Sequence, residues 1–577
     1  MQQKSPFFMA THQIRTCNAR ESPPHPRYKA GTATLAVLAH RLQKPLLPMR
    51  LRPIISPGAT KQPATAKPAK SPFVLINVLD LVVGVCVMSS KWFPLFSVHE
   101  PRIRILHFTW LAFFITFLIW FAHVSLMPMI KVSMHLTDAQ VKAFLILNVA
   151  LTIPARILIG ILVDRYGPRL SYSVLLAFCG MLCIGFAAAQ TFEQLAVMRF
   201  LLGFTGAGFV IGIRLVSEWF PAREVGIAEG IYGGWGNFGA AIAKIGMPVL
   251  AVTVFGGEFG WRYAIALTGV IAIFYSVIFY GNVTDTPKGA TYFKPKKAGG
   301  LEVTSKRDLV FYFLMNLPLY LILYVLAWRL SPAGLNIIPE LFAWICYGIV
   351  TLLMTWQSWK IWQVNRHLMH EEIPRAQRYK FKQVAILNIA YMACFGSEIA
   401  IVSMLPMFFG DMFHLTPMAM GLMAGSFTIM NIVARPAGGF ISDRIGRRKV
   451  LVGCLGIQTA GYVLLSNVSE GWGITLAVIV TMATSVFVQA ACGAVYSIVP
   501  LIQRRMTGQI AGMAGAYGNV GGVLFLTVLS FVSPHAFFMV IAAMSALAFL
   551  AANFIDEPKG HMVEVDERGN VQMIAVE

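Results

Sequence analysis

Two arginines lie inside apolar segments of this chain and repeat each other in register. Arg156 and Arg435 are 279 residues apart, and each is followed by a glycine after four residues, Asp-Arg after eight, a glycine after eleven and an arginine after thirteen. An arginine near the centre of a bilayer costs at least about 2.5 kcal/mol to insert, so a chain that keeps two at matched positions is expected to use them. Because guanidinium groups bind oxyanions through paired hydrogen bonds, these arginines are the first candidates for a binding site.

The composition identifies the class of protein. Of the 577 residues, 57% are hydrophobic and 13% are charged, against about 25% charged in an average soluble domain. Apolar segments of about 20 residues, the length of a transmembrane helix, recur along the chain. They begin near Ile105, Val141, Leu170, Leu195, Gly226, Tyr263, Leu309, Ile337, Val384, Gly421, Val450, Ile474, Gly508 and Ala536. We therefore predict an all-α polytopic membrane protein with about fourteen transmembrane helices.

The net charge of +21 does not indicate a nucleic-acid partner, because the basic residues are concentrated in alternate connections. Basic loops occur at 164–169, 222–224, 288–307, 360–382, 443–449 and 503–505, whereas the turns at 256–260, 331–340, 410–416, 467–473 and 533–535 are nearly free of lysine and arginine. By the positive-inside rule the basic loops and both chain termini are cytoplasmic, and we expect the plasma (inner) membrane. The loop with Lys131 and Lys142 fits this pattern least well.

Neither a metal site nor a nucleotide site is visible in the sequence. The eight cysteines show no CxxC spacing, and several lie within apolar segments, as expected of buried packing residues. The chain has no GxxxxGKS or GxxxxGKT pattern for a phosphate-binding loop. We expect no cofactor and no enzymatic activity, so uphill movement of a solute would need an ion gradient or a partner.

The first 87 residues differ from the rest. Residues 1–70 carry twelve lysines or arginines against one acid, Glu21, and the apolar run 73–88 is short for a span and is interrupted by Asp80. Three interpretations remain open: a disordered cytoplasmic tail, a targeting segment, or sequence upstream of the true start. We favour the last, with Met88 as the initiator, because Met88 leads directly into an ordinary basic preface to the first helix.

A second repeat indicates that the two arginines belong to duplicated bundles. Seven positions between Gly226 and Gly239 recur 282 residues later, between Gly508 and Gly521. Two duplicated helices in each half predict two homologous bundles of six helices, with the helices 309–330 and 337–362 left over as an insertion. The predicted regions are a basic extension and preface at 1–104, a first bundle at 105–283, a linker with the inserted hairpin at 284–383, a second bundle at 384–555 and a cytoplasmic tail at 556–577. We expect the hairpin to be structural or to dock a protein partner.

These features resemble the major facilitator superfamily, in which parallel six-helix repeats are related by an axis along the membrane normal. The segments Gly160–Arg169 and Gly439–Lys449 look like the signature loops of that family, and Arg199 with Gly203 is similar to a weaker motif. Within the superfamily, the chain resembles the nitrate and nitrite porters, most of all the cyanobacterial and plant proton-coupled branch. That resemblance rests on Gly233-Gly-Trp-Gly-Asn237-Phe-Gly239, Gly515-Ala-Tyr-Gly-Asn519-Val-Gly521, the segment Gly493–Pro500 with Arg504-Arg505, and the segments His107–Phe114 and Cys394–Glu398.

The resemblance implies roles for individual residues. In the porters, one arginine from each half clasps the anion, which corresponds here to Arg156 and Arg435. Aromatic residues sandwich the anion, which corresponds to Phe209, Tyr391 and Phe395, and the signature asparagines correspond to Asn237 and Asn519. The residues that match the conformational latch of the superfamily are Asp164, Arg165, Arg169, Asp443, Arg444 and Arg448.

Three further charged residues are informative on physical grounds. Glu398 lies well inside an apolar segment, and a carboxylate that is costly to ionise next to a transport path is suited to carry a proton. An ion pair with an arginine, or a hydrogen bond between helices, would explain Glu398 as well. Arg214 and Glu218 are four residues apart, so we expect a local ion pair near the cytoplasmic end of their helix.

The sequence therefore predicts a secondary active transporter that imports nitrate, with nitrite as a second substrate, by proton symport and alternating access. Its expected partners are the anion, protons and the lipid bilayer. Nitrate/nitrite exchange is the nearest competing hypothesis, because two arginines can bind either anion without a proton. A small-carboxylate exchanger, an anion channel, and a transporter-like nitrate sensor whose partner docks at the hairpin would also be compatible with the sequence.

Overall fold

The structure of this chain is a computed structural model. It describes residues 93–295, 299–334, 336–370, 378–415, 425–529, 531–557, 561–565 and 571–575. The expectations for residues 1–87, including a start at Met88, lie outside the described residues.

The first half of the molecule is a set of helices joined by short turns. They are α1 (Pro101–Ser133), α2 (Asp138–Ala150), α3 (Thr152–Tyr166), α4 (Pro168–Ala188), α5 (Phe192–Leu201), α6 (Gly208–Trp219), α7 (Ala222–Val249) and α8 (Gly260–Asn282). A 3-10 segment, Leu202–Ala207, joins α5 to α6. Thr137 and Gln140 cap α2 reciprocally. Gly167, with a φ of 88°, allows the sharp turn between α3 and α4.

The inserted hairpin and the second half follow. The hairpin is formed by α9 (Lys306–Leu330) and α10 (Glu340–Asn365), and the second half by α11 (Phe381–Phe413), α12 (Asn431–Ile445), α13 (Arg447–Ser466), α14 (Ile474–Ile498), α15 (Thr507–Leu529) and α16 (Pro534–Ala552). Gly446, with a φ of 117°, makes the turn between α12 and α13 that Gly167 makes in the first half. In the tail, β1 (His561–Val565) pairs antiparallel with β2 (Val571–Ala575), a short hairpin that the sequence did not predict.

Twelve helices in the described part of the chain are long and apolar enough to cross a membrane. The two other predicted spans are the ones that carry the matched arginines. The first is divided at Leu151 into α2 and α3, of 13 and 15 residues. In the second, α12 has 15 residues and follows a helical stretch at 425–429. The all-α multi-pass fold is therefore as predicted, but neither arginine lies on one long uninterrupted helix.

The two halves meet along two pairs of helices that approach each other closely. In one seam α3 packs against α15, and in the other α12 packs against α7. A Cβ on Gly160 would lie 2.6 Å from the carbonyl oxygen of Gly508, and one on Gly439 would overlap with the carbonyl oxygen of Gly226. Small residues allow this kind of backbone approach between membrane helices. The duplicated glycines thus form the α3–α15 seam and the α7–α12 seam.

The inserted hairpin lies beside the α3–α15 seam. The hydroxyl of Tyr517 on α15 donates to the carbonyl oxygen of Met315 on α9 at 2.5 Å, and the rings of Tyr312 and Phe381 have centroids 5.1 Å apart. A small cavity lies between the hairpin and the seam. Its lining includes Ile157, Ile161, Asn316, Gln357, Gln509 and Met513. The hairpin is therefore packed on the second half and also reaches α3 of the first half.

A methyl group on Gly439 should disturb the α7–α12 seam, because it would overlap with the carbonyl oxygen of Gly226. We expect Gly439→Ala to reduce the free energy of unfolding by about 1 to 3 kcal/mol, the usual range for overpacking, and to lower the melting temperature in detergent. Gly453→Ala on α13 is the matched control, since a Cβ there meets nothing within 4 Å. Equal melting temperatures for the two variants would contradict close packing at this seam.

Candidate anion-binding site

Arg156 and Arg435 are buried in the interior between the two halves. Arg156 belongs to α3 and Arg435 to α12, and their exposed fractions are 1% and 2%. A Cβ on Gly515 would lie 2.9 Å from Nη1 of Arg156, and one on Gly233 would lie 3.3 Å from Nη1 of Arg435. Each guanidinium therefore lies against the bare backbone of a helix from the opposite half.

Neutral groups hold Arg156. Its Nε donates to the carbonyl oxygen of Gly206 at 2.9 Å, and its Nη1 donates to that of Gly515 at 2.6 Å. Its guanidinium carbon lies 5.9 Å from the ring centre of Phe209 and 5.3 Å from that of Phe395. The buried ion pairs found among the described residues do not include Arg156. Its positive charge is therefore available to an anion.

Arg435 differs, because a carboxylate compensates its charge. Its Nη2 lies 3.2 Å from Oε2 of Glu398, and Oε1 of Glu398 accepts a hydrogen bond from Asn431 at 2.6 Å. Glu398 is 6% exposed. The ion pair with an arginine, one of the interpretations that the sequence left open for Glu398, is therefore present in the structure.

Aromatic rings from both halves surround the guanidinium groups. Phe209 and Tyr391 lie parallel, with 6° between their planes and 6.4 Å between their centroids, and Tyr391 stacks on Phe395 at 5.0 Å. Tyr496 presents its edge to Phe209 and Tyr391 at 4.7 and 4.8 Å. Phe395 also lies 5.8 Å from the guanidinium carbon of Arg435, so both arginines contact its ring. Because ring faces attract cations, the stack holds the guanidinium groups in position.

The two signature asparagines lie next to the arginine network. Nδ2 of Asn237 donates to Oδ1 of Asn431 at 3.4 Å, and Nδ2 of Asn519 donates to the carbonyl oxygen of Gly515 at 3.3 Å. That carbonyl also accepts the bond from Arg156. Oδ1 of each signature asparagine has no hydrogen-bond partner within the described ranges. Asn519 is thus linked to Arg156 through one carbonyl oxygen, and Asn237 is linked to Arg435 through Asn431 and Glu398.

The aspartates of the two signature loops join the halves. Asp164 accepts backbone hydrogen bonds from Gly508 at 3.0 Å and Gln509 at 2.9 Å, in the first turn of α15. Asp443 accepts one from Ile227 at 2.9 Å, near the start of α7. The free amide groups in the first turn of α15 are natural partners of an anion, whereas Ile227 is the sixth residue of α7. Both seams are therefore closed at the end where the signature loops lie.

The arginines that neutralise these aspartates are not the predicted loop arginines. Nε of Arg214 lies 3.2 Å from Asp164, and Arg214 also forms the expected pair with Glu218 at 2.7 Å. Asp443 pairs with Arg447 at 3.1 Å. The predicted loop arginines have other surroundings: Arg169 contacts the ring and carbonyl of Tyr280, Arg165 contacts Tyr166, Arg444 contacts Phe440, and Arg448 is exposed.

Three residues of the site were not named from the sequence. Tyr232 stacks on Phe209 at 5.7 Å, Tyr496 closes the ring stack, and Asn431 holds Glu398. Asn431 precedes Arg435 by four residues, so helical spacing would have placed it on the same face. Tyr496 lies in the segment Gly493–Pro500 that carried the family resemblance, whereas no signal in the sequence singles out Tyr232.

The arrangement is suited to a small, flat oxyanion. One guanidinium is uncompensated, and the second is paired with a carboxylate. Both guanidinium groups contact the ring of Phe395: the guanidinium carbon of Arg156 lies 5.3 Å from its centroid and that of Arg435 lies 5.8 Å from it. An anion held between them would contact both halves of the molecule at once.

Known proteins resemble this chain over most of its length. A family model described as the Major Facilitator Superfamily matches residues 109–360 and 387–574. The nitrate/nitrite transporter NrtP of Nostoc punctiforme is 46% identical over 474 residues, which cover 81% of this chain and 94% of the relative. The high affinity nitrate transporter 2.5 of Arabidopsis thaliana is 31% identical over 445 residues, which cover 75% of this chain and 74% of the relative.

Solved structures of membrane transporters share the fold. The human organic anion transporter MFSD10 superimposes with a TM-score of 0.55 at 11% identity, covering 78% of this chain and 100% of that one. The proton:xylose symporter XylE gives 0.54 at 13% identity, covering 79% and 97%. With the family model and the porter relatives, the chain belongs to the major facilitator superfamily and, within it, to the nitrate/nitrite porter family.

Proposed function

We propose that this protein is a secondary active transporter that imports nitrate, with nitrite as a second substrate, by proton symport. The observation that carries the proposal is the pair of buried arginines from opposite halves, one of them bound to Glu398. The relatives support the choice of substrate, since their names describe a nitrate/nitrite transporter and a high affinity nitrate transporter.

Nitrate fits the chemistry of the two arginines. It is planar and singly charged, and a guanidinium offers parallel N–H donors that match two oxygens of such an ion better than an ammonium does. Arg156 supplies the uncompensated charge that attracts the anion. Phe209, Tyr391 and Phe395 form walls of the site and keep the guanidinium groups apart. Asn237 and Asn519 remain predicted substrate-binding residues: the amide of Asn237 contacts Asn431 on α12, and that of Asn519 contacts the carbonyl oxygen that Arg156 also binds.

The ion pair of Arg435 with Glu398 supports coupling to a proton. While the carboxylate is ionised, it competes with an anion for Arg435 at 3.2 Å. When Glu398 takes up a proton, the pair loses its electrostatic attraction and Arg435 becomes free for the anion. Proton and nitrate therefore favour each other's binding, which is the requirement for symport.

The membrane potential sets how many protons are needed. Moving one charge across the membrane costs or releases about 2.3 kcal/mol per 100 mV, so an inside-negative potential opposes the entry of nitrate alone. One proton makes the step electrically neutral, and a second makes it favourable. Proton symport thus allows uptake from dilute nitrate.

Alternating access follows from the two seams. Asp164 and Asp443 hold α15 and α7 of the opposite halves at the end with the basic loops, and we assign them, with Arg214 and Arg447, to the conformational latch. The positive-inside rule makes this end cytoplasmic. The protein in this state is therefore closed to the cytoplasm of a cell whose plasma membrane it occupies. Breaking both contacts would open the site to that side.

Nitrate/nitrite exchange is the second candidate. A relative from Thermus thermophilus, named a probable nitrate/nitrite antiporter, is 26% identical over 494 residues. Two arginines alone are sufficient for exchange, whereas symport also needs Glu398. The docking of a signalling partner on the α9–α10 hairpin stays a prediction from the sequence.

Replacing either arginine with lysine should weaken nitrate binding although the charge is kept. Hydrogen bonds to a charged group contribute about 1.5 to 3 kcal/mol, so we expect affinity to fall by about 10-fold to 100-fold in Arg156→Lys and Arg435→Lys. Equilibrium binding of labelled nitrate to the purified protein measures the loss. Arg307→Lys, at an exposed position on α9, is the matched control and should bind like the wild type. Unchanged affinity in both site variants would refute the assignment.

Replacing Glu398 with glutamine should weaken the coupling of transport to protons. In proteoliposomes, Glu398→Gln is expected to reduce uptake driven by an imposed proton gradient, and its nitrate affinity should vary less with pH than that of the wild type, because Arg435 stays free of a carboxylate. Glu340→Gln, at the exposed start of α10, should behave like the wild type. If the rate of wild-type nitrate uptake does not change with a proton gradient but rises with internal nitrite, the protein is an exchanger instead.

A further inference from the structure

Glu229 on α7 is a buried carboxylate that the proposed site does not use. It is 2% exposed, and neither of its oxygens has a hydrogen-bond partner among the described residues. A buried carboxylate without a donor is unfavourable when ionised, since the protein replaces none of the hydrogen bonds that water would supply. The structure therefore holds an acid in an environment that favours its neutral form.

The position of Glu229 lies between the anion site and the cytoplasmic latch. Gly233, four residues later and one turn away on the same face of α7, would place a Cβ 3.2 Å from Cδ of Arg435 and 3.4 Å from Cε2 of Phe209. Ile227, two residues before Glu229, donates its amide to Asp443. An ion that leaves the site toward the latch passes this turn of α7.

The charges around Glu229 do not neutralise it. Those that act on it are Asp443, which has the same sign, and Arg447. Arg447 is already bound to Asp443 at 3.1 Å and to the carbonyl oxygen of Ala222. Titratable groups on the other helices packed against α7 also have partners: Arg102 with Glu224, Arg214 with Glu218, Arg435 with Glu398, and Tyr496 in the ring stack. Arg447 is thus held by Asp443, and no ion pair of Glu229 is found among the described residues.

The internal repeat does not conserve this carboxylate. At the 282-residue offset, the position of Glu229 corresponds to Ala511 on α15, which is fully buried. The α3–α15 seam forms the same close contact as the α7–α12 seam, with glycine against backbone and an aspartate on amide groups. A seam of this kind therefore forms without an acid at this position, and the acid is a feature of one seam alone.

We propose that Glu229 is a second proton-binding site, protonated while the α7–α12 seam is closed and ionised when that seam opens to the cytoplasm. This inference rests on the proposed proton symport. In the closed state the proton keeps Glu229 neutral beside Asp443. Opening separates α7 from α12, admits water to the carboxyl group and lets the proton leave on the cytoplasmic side. With Glu398 carrying the other proton, two protons accompany each nitrate and one net positive charge enters per cycle.

The test is the dependence of nitrate uptake on membrane potential in proteoliposomes. The wild type is expected to respond both to a pH gradient and to an inside-negative potential set with potassium and valinomycin. Glu229→Gln removes one proton, so its transport is electroneutral: uptake should still follow the pH gradient but should no longer respond to the potential. Glu229→Ala, which copies Ala511, should behave in the same way. Glu193→Gln, at the exposed start of α5, should retain both responses.

The outcomes separate this inference from the proposed function. If nitrate uptake by the wild type does not change with the pH gradient, proton symport is wrong and the inference about Glu229 is wrong too. If wild-type uptake follows the pH gradient but not the potential, symport stands and the second proton site is refuted, whatever the variants do. A potential response that persists in Glu229→Gln also refutes the site while leaving symport intact.

Discussion

The ion pair between Arg435 and Glu398 is the interaction on which the proposed cycle depends. At 3.2 Å in a buried site, it balances one of two guanidinium charges and leaves the charge of Arg156 unbalanced. A site with both arginines compensated would have little attraction for an anion, and a site with neither compensated would carry two repelling charges when empty. The single carboxylate places the site between these extremes, and in the proposed cycle its protonation makes Arg435 available to the anion.

The residues that recur in both halves and the acidic residues that occur in only one half have separate roles. Glycines at matched positions give both seams the same close backbone contact, and Asp164 and Asp443 bind amide groups on the opposite half in the same manner. Glu398 and Glu229 break the symmetry. Both lie on the side of the site formed by α7, α11 and α12. In the proposed cycle, the two similar seams allow the halves to move relative to each other. Glu398 and Glu229, which have no counterpart in the other half, couple that movement to protons.

The sequence predicted well those features that recur at matched positions in the two halves of the chain. The arginines, the glycine helices and the number of helices per half are local patterns, and the structure has helices at all these positions. Partners of charged side chains were less accessible. Arg447 was not predicted as the partner of Asp443, because the Gly446 turn lies between them, and the pairs Arg435 with Glu398 and Arg214 with Asp164 join residues far apart in the chain. Such partners depend on how helices pack, which periodicity does not encode. The break at Leu151 and the strands of the tail also left no clear pattern.

The inserted α9–α10 hairpin covers the α3–α15 seam, and the α7–α12 seam has no such cover among the described residues. It is fixed to the second half through Tyr517 and Phe381, and it lies over the α3–α15 seam. The hairpin thereby covers that seam, whereas apolar side chains of α7 and α12 such as Ile245 and Ile445 remain 69% and 62% exposed. A change in bilayer thickness or lateral pressure would act directly on the α7–α12 flank and through protein on the opposite one. The sensitivity of this transporter to its lipid environment is therefore expected to reside in the seam that contains Glu229.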